Sequence, residues 1–171
     1  MDGSRILLGV TGSIAAYKGA DLASKLAQRG ALVDVVMTRS ALEFVTPLTF
    51  RSLTHRPVVT RLFDAESESS VEHIALAESS EVVVVAPATA DIIAKAANGL
   101  ADDLLTCILL ATRSPVVLAP AMDGYMFENP ATQENLARLL SRGYIVVGPE
   151  EGRLASGQVG KGRLADVADI I

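Results

Sequence analysis

Cysteine is almost absent from this 171-residue chain: Cys107 stands alone. A single thiol excludes an internal disulfide framework and fits a reducing compartment, so a cytoplasmic location is the expectation. Only two histidines accompany it, His55 and His73, which argues against a structural zinc site. Tryptophan is missing, and aromatic residues make up 4% of the sequence. The hydrophobic half of the chain is therefore built from Val, Ile, Leu and Ala, which suits parallel strands buried on both faces. No apolar run reaches the roughly 18 residues a membrane span needs. The opening residues Met1-Asp2-Gly3-Ser4-Arg5 lack the build of a secretory signal. Basic residues are outnumbered by acidic ones, 15 to 20, for a net charge of -5. They form no stripe, so nucleic acid is not an expected partner.

What is present reads as one α/β domain over 1–171. Ile6 to Val10 is an apolar strand, Thr11-Gly12-Ser13 a tight turn, and Ile14 to Gln28 has helical spacing that ends at Gly30. Ala31 to Met37 is a second strand. Strand, turn, helix and strand make one βαβ unit with a right-handed crossover. Ala41 to Val45 reads as a short helix and Pro47 to Pro57 as a mixed segment. Asp64 to Ser70 is polar and is the expected mobile loop, and Ser70 to Ser79 reads as helix. Glu81 to Ala86 carries four consecutive valines and is the third strand. Helices follow at Asp91 to Asn98 and Ala101 to Thr112. Pro115 to Ala119 is the fourth strand, Ala131 to Ser141 a helix, and Tyr144 to Gly148 the fifth strand. Pro149 to Arg163 is glycine-rich, and Leu164 to Ile171 begins a helix. The pattern predicts a doubly wound parallel sheet, a flavodoxin-like or Rossmann-like three-layer sandwich, with strand order 2-1-3-4-5.

In such a sheet, ligands bind beyond the carboxyl ends of the strands. Three turns and one loop fall there. Gly12 and Ser13 open the first helix, where a close backbone approach and free N–H groups attract an anion. The turn is neither G-x-G-x-x-G nor a P-loop. Thr38-Arg39-Ser40 ends the second strand without the acidic residue that holds a dinucleotide's ribose. Two hydroxyls and a cation there suit a terminal phosphate, pointing to a mononucleotide such as FMN. Ser40 is equally placed to cap the next helix. Ala86-Pro87-Ala88-Thr89-Ala90-Asp91 offers small residues for a flat ring and two polar side chains, with Asp91 also a candidate cap. Pro120-Ala121-Met122-Asp123-Gly124-Tyr125-Met126-Phe127 follows the fourth strand. It presents one carboxylate and two methionines to a site, or else tucks its methionines into the core. Asp102 and Asp103 form a carboxylate pair, here read as helix-start charges rather than acid and base. His73 lies on an amphipathic segment, His55 in a polar turn before Pro57.

These motifs together resemble the flavin-dependent cysteine decarboxylases. The likeness runs through Gly9 to Lys18, Met37-Thr38, Phe44 to Phe50, His73-Ile74, Ala86 to Asp91, Ala119 to Met122 and Gly157 to Arg163. It is nearest to the members that decarboxylate 4'-phosphopantothenoylcysteine to 4'-phosphopantetheine in coenzyme A synthesis. The resemblance implies FMN as cofactor, held by Gly12, Ser13, Thr38, Ser40, Thr89, Ala90, Asp91, Ala121 and Met122. It implies His73 as the catalytic histidine and Asp123, Met126 and Ser156 as substrate-binding residues. It implies a carbon–carbon lyase working through thioaldehyde and enethiol intermediates. It also implies homotrimers, or dodecamers of four trimers, with active sites between protomers.

Two positions depart from that family's pattern. Asp123 stands where asparagine is usual. An amide can donate to a substrate carboxylate, whereas an ionised Asp only accepts. Three readings follow: a protonated Asp123, a substrate amide or amine facing it, or a compensating cation. Ser156 stands where the coenzyme A enzymes carry a cysteine that helps protonate the enethiol. A hydroxyl is a far weaker acid than a thiol of pKa about 8.5, and Cys107, expected mid-helix, is no substitute. Ser156 therefore favours a second reading, oxidative decarboxylation of a C-terminal peptidyl cysteine to an aminoenethiol. A flavin-binding regulatory subunit and a flavodoxin-like electron carrier are the non-lyase alternatives.

Overall fold

The computed structural model describes residues 1–62 and 72–171. The expected loop at Asp64 to Ser70 lies outside the described residues. In chain order the elements are β1 (Arg5–Val10), α1 (Ala16–Gln28), β2 (Leu32–Met37), a 3-10 turn (Arg39–Glu43), α2 (Pro47–Thr54), β3 (Val58–Val59), α3 (Glu72–Ser79), β4 (Val82–Ala88), α4 (Ala90–Asn98), α5 (Leu104–Ala111), β5 (Val116–Pro120), α6 (Gly124–Glu128), α7 (Pro130–Ser141), β6 (Ile145–Val146), β7 (Glu150–Arg153), β8 (Val159–Arg163) and α8 (Val167–Ile170).

Six strands form one sheet in the order β3-β2-β1-β4-β5-β6, and every pairing within it is parallel. The five strands read from the sequence keep their expected order. The two-residue edge strand β3 was not foreseen, because Val58-Val59 is too short for any period to show. With β3 the order is that of the dinucleotide folds.

Side chains of the central strands alternate between two cores. Ile6, Leu8, Val10, Val33, Val35, Val84 and Ala86 face α1, α2 and α8. Leu7, Val36, Val83, Val85, Val116 and Leu118 face α3, α4, α5 and α7. Because both faces are covered, Val82 to Val85 needs no polar alternation. Helix α1 buries Ala16, Gly19, Leu22, Ala23 and Leu26, the spacing of one helical face.

Four segments differ from the sequence reading. Pro47 to Thr54 is a helix, started by Pro47 in its first turn and closed by His55 at φ 55°. The segment after Thr38 is a 3-10 turn, and Thr38, not Ser40, occupies its cap position. Gly124 to Glu128 forms a short helix. The glycine-rich stretch is an antiparallel hairpin of β7 and β8, apart from the main sheet. Its strands are polar on both faces, so no apolar alternation announced them. Gly157 takes φ 86° in the turn between them, a conformation that favours glycine.

Candidate active site

The site begins at the carboxyl ends of β1, β4 and β5, which are stitched together by buried polar contacts. Thr11 Oγ1 donates to the Pro87 carbonyl at 2.7 Å and accepts from the Thr89 N–H at 3.2 Å. Thr89 in turn caps α4, its side chain accepting from the Ile92 N–H at 3.4 Å. The Ala121 N–H donates to the Ala88 carbonyl at 3.0 Å. The hairpin joins this platform: the Met122 N–H donates to the Gly162 carbonyl at 3.0 Å. A Cβ at position 162 would run into the Met122 carbonyl. Glycine is what lets the hairpin lie this close.

Above these ends lies a cleft of about 850 Å³, within the range of small-molecule sites. Gly12, Ser13, Thr89, Ala90, Ala121 and Met122 line it, all expected at a cofactor. Asp123, Met126 and Ser156 line it too, the three residues expected at a substrate. Ser156 belongs to the hairpin's turn, and sequence separation hid how near it comes to Asp123. Lys18 and Arg153 also line the cleft and were not singled out from the sequence. Lys18 is one turn into α1, and Arg153 sits on a strand that no sequence pattern revealed.

Thr38 and Ser40 stand beside Gly12 rather than on the cleft wall. A Cβ at position 12 would collide with Ser40, so the two turns touch. Thr38 Oγ1 is buried without a hydrogen-bond partner among the described residues. Such an orphan is rare unless a ligand or water completes it. Asp91 does not cap α4. It is exposed and pairs with Lys95 at 3.3 Å, and Lys95 also reaches Asp102 at 3.2 Å. Burial works against the Lys95 charge, but the hydrogen-bonded carboxylates of Asp102 and Asp91 outweigh it and raise its pKa. Asp103 caps α5, accepting from the Thr106 N–H at 2.8 Å in a capping box. The carboxylate pair is thus a helix-start arrangement. Cys107 lies inside α5, and burial, then Asp103 and Asp102, push its thiol pKa up. It is remote in role from a reactive thiolate.

Asp123 is the cap of α6. One carboxylate oxygen accepts from the Tyr125 N–H at 3.0 Å. The other accepts from the Ser156 hydroxyl at 2.8 Å. The two positions that depart from the family's pattern therefore touch each other. No basic side chain among the described residues pairs with Asp123. Met122 packs partly against the core beneath α7, whereas Met126 stays 51% exposed.

His73 is half-buried near the start of α3. It does not line the cleft. The candidate histidine and the candidate substrate residues thus do not line the same cleft within the chain. His55 ends α2 and faces a separate hollow with Arg51 and Arg56.

The comparisons with known proteins fall on the same ground. The Flavoprotein family model matches residues 1–171. The chain belongs to the Flavoprotein family. The coenzyme A biosynthesis bifunctional protein CoaBC of Vibrio cholerae serotype O1 is 50% identical over 169 residues, covering 99% of this chain and 42% of that protein. The chain therefore spans under half the length of that relative. A PPC decarboxylase cysteine-to-serine mutant complexed with pantothenoylaminoethenethiol superposes with TM-score 0.86, at 34% identity over 97% of this chain and 93% of that one. The FMN-dependent cysteine decarboxylase SpaF follows with TM-score 0.83, at 33% identity over 97% and 93%. Among the described residues of this Flavoprotein member, no helix is long and apolar enough to cross a membrane.

Proposed function

We propose that this chain is an FMN-dependent cysteine decarboxylase that converts 4'-phosphopantothenoylcysteine to 4'-phosphopantetheine. The observation that carries the reading is the single cleft that gathers Gly12, Ser13, Thr89, Ala90, Ala121 and Met122 with Asp123, Met126 and Ser156. Residues that the family resemblance assigned to cofactor and to substrate meet there from four separate stretches of chain. The likeness to CoaBC and to a PPC decarboxylase supports the substrate.

The residues present fit a flavin mononucleotide. The orphaned Thr38 hydroxyl, Ser40 and the Gly12-Ser13 turn would hold its phosphate end, at the start of a 13-residue helix whose dipole favours an anion. Thr89, Ala90, Ala121 and Met122 would flank the ring. A bound flavin supplies two-electron redox chemistry for the cysteinyl side chain. The protein's share is to orient the substrate, exclude water and place protons. Asp123 and Met126 would position the cysteinyl end, and His73 would serve as base or orienter for the thiol.

That last role requires assembly, because His73 does not line its own protomer's cleft. A homotrimer with active sites between protomers brings one chain's His73 to its neighbour's cleft. The exposed apolar side chains Ile14, Tyr17, Tyr125 and Met126 around the cleft suit burial against such a neighbour.

The test is anaerobic mixing of the flavin-loaded protein with 4'-phosphopantothenoylcysteine, followed by product mass. Carbon dioxide with 4'-phosphopantetheine bears the reading out, and unchanged substrate sinks it. A second reading, decarboxylation of a C-terminal peptidyl cysteine to an aminoenethiol, is favoured by one observation. Ser156 occupies the place of the usual cysteine, and the PPC decarboxylase with a cysteine changed to serine is found with pantothenoylaminoethenethiol. Turnover only of peptides ending in cysteine would select it, whereas a product two hydrogens lighter than 4'-phosphopantetheine would mean that the phosphopantothenoyl substrate is carried only through the oxidative half-reaction.

A further inference from the structure

We infer that Asp123, held in place by the Ser156 hydroxyl, is a specificity-determining residue that takes an N–H donor of the substrate and turns its carboxylate away. The inference rests on the decarboxylase reading and adds to it where the substrate's two polar groups lie. Three observations carry it. Asp123 lines the cleft. Its two oxygens are fixed by the Tyr125 N–H at 3.0 Å and the Ser156 hydroxyl at 2.8 Å. No cation among the described residues neutralises it within 4.0 Å.

A carboxylate held this way keeps one lone-pair site on each oxygen and offers no donor. The Ser156 proton points to Asp123, so the hydroxyl is not a donor for the substrate either. What the cleft presents at this point is an acceptor with a full negative charge. A second carboxylate brought against it is repelled in a site partly screened from water. An amide N–H is attracted, through a charge-assisted bond. The cysteinyl amide of the proposed substrate supplies such an N–H next to its carboxylate. The anion then has Lys18 and Arg153, which line the same cleft and pair with no acidic side chain among the described residues.

Hydrogen-bond economy makes the two departures a single change. Serine donates to a carboxylate more strongly than a thiol does, and Asp accepts from it with both charge and geometry. Of the three readings of Asp123, the pair favours the one in which a substrate amide faces it.

The test is a binding measurement that needs no turnover. Flavin-loaded protein is titrated calorimetrically with 4'-phosphopantothenoylserine and with 4'-phosphopantothenoyl-ethanolamine. The two lack a thiol and differ only in the carboxylate. The wild type is expected to bind the ethanolamine compound at least about tenfold more tightly. Asp123→Asn retains the helix cap, since Asn caps as well as Asp, and is expected to close the gap to within about threefold by tightening the serine compound. Ser156→Ala is expected to leave the gap open, because the charge remains. Equal affinities in the wild type, or an unchanged gap in Asp123→Asn, overturns the inference. Carbon dioxide release from 4'-phosphopantothenoylcysteine, run beside it, separates the two claims. Release with equal affinities removes the specificity role alone, while neither binding nor release removes the decarboxylase reading and the inference with it.

Discussion

The floor of the cleft and its hairpin wall are made in opposite ways. The floor is the ends of β1, β4 and β5, where Val10, Ala88 and Ala119 are fully buried and Thr11 ties the backbone together. The wall is β7, β8 and their turn, polar and mostly exposed, held to the floor by the Met122–Gly162 backbone bond and the Ser156–Asp123 contact. The floor's geometry is over-determined by packing, so it suits a group that must be held the same way in every turnover. The wall rests on those two contacts, on Leu154 buried beside Gly124 and on Lys161 over the Phe127 ring. Single substitutions there alter what it recognises at small cost to the fold, and both departures from the family's pattern sit at that junction.

The largest effect should come from the floor. Leu118→Ala empties a fully buried position on the central strand β5. It should cost about 2–5 kcal/mol, the range for large-to-small core changes, read as a shift of the urea midpoint with an unchanged slope. A loss under about 1 kcal/mol would mean that the floor is not the rigid half.

Thr11→Val comes next. It keeps shape but removes the hydroxyl that serves the Pro87 carbonyl and the Thr89 N–H. Leaving such buried groups unpaired costs about 1–3 kcal/mol. Flavin affinity should fall with it, because Thr89 begins the helix that lines the cleft. Unchanged flavin binding would detach Thr11 from the cofactor end.

The wall should respond differently. In Gly162→Ala the new Cβ meets the Met122 carbonyl, so the hairpin must withdraw. Thermal stability is expected to fall by about 0.5–1.5 kcal/mol, the net worth of the Met122–Gly162 backbone bond that is parted, with flavin still bound. Affinity for 4'-phosphopantothenoyl-ethanolamine should fall at least about tenfold. Loss of stability on the scale of Leu118→Ala would make the hairpin part of the folding core and erase the contrast.

The same contrast explains what could be read from the sequence. The floor was legible because both sheet faces are covered: runs such as Val82 to Val85 need only be apolar, and small-residue turns end them. Its strands, their order and the turns at Gly12, Thr89 and Ala121 all follow from that pattern. The wall was not legible. Glu150-Glu151-Gly152-Arg153 and Val159-Gly160-Lys161-Gly162-Arg163 bury almost nothing, and a strand without a buried face leaves no period-2 trace. The Asp123–Ser156 contact spans 33 residues and depends on that unseen hairpin. Thr89 took the cap that Asp91 was equally entitled to, because Thr11 fixes its backbone. Helix α2 escaped because propensity is diluted over a stretch with Thr, Ser and Pro.

The smallest expected effect lies off the cleft, where the floor's helix α4 meets the loop before α5. Lys95 joins Asp91 and Asp102, and its pKa is raised in the folded chain. A raised lysine pKa means that the folded state holds the proton longer than the unfolded one. The stabilisation is therefore complete below the unfolded value of about 10.4 and disappears as pH climbs through the folded value. Both carboxylates are mostly exposed, at 72% and 63%, so solvent screening limits the contribution to about 0.2–1 kcal/mol. Cys107 and Tyr144, whose pKa values burial also raises, lose stability in the same alkaline direction. Lys95→Met isolates the lysine: urea midpoints of variant and wild type should differ at pH 8 and draw together as pH rises beyond the ordinary lysine value of 10.5. A difference that persists through that range would make the Lys95 contribution one of packing rather than charge, and the α4–α5 junction would then share the apolar logic of the floor.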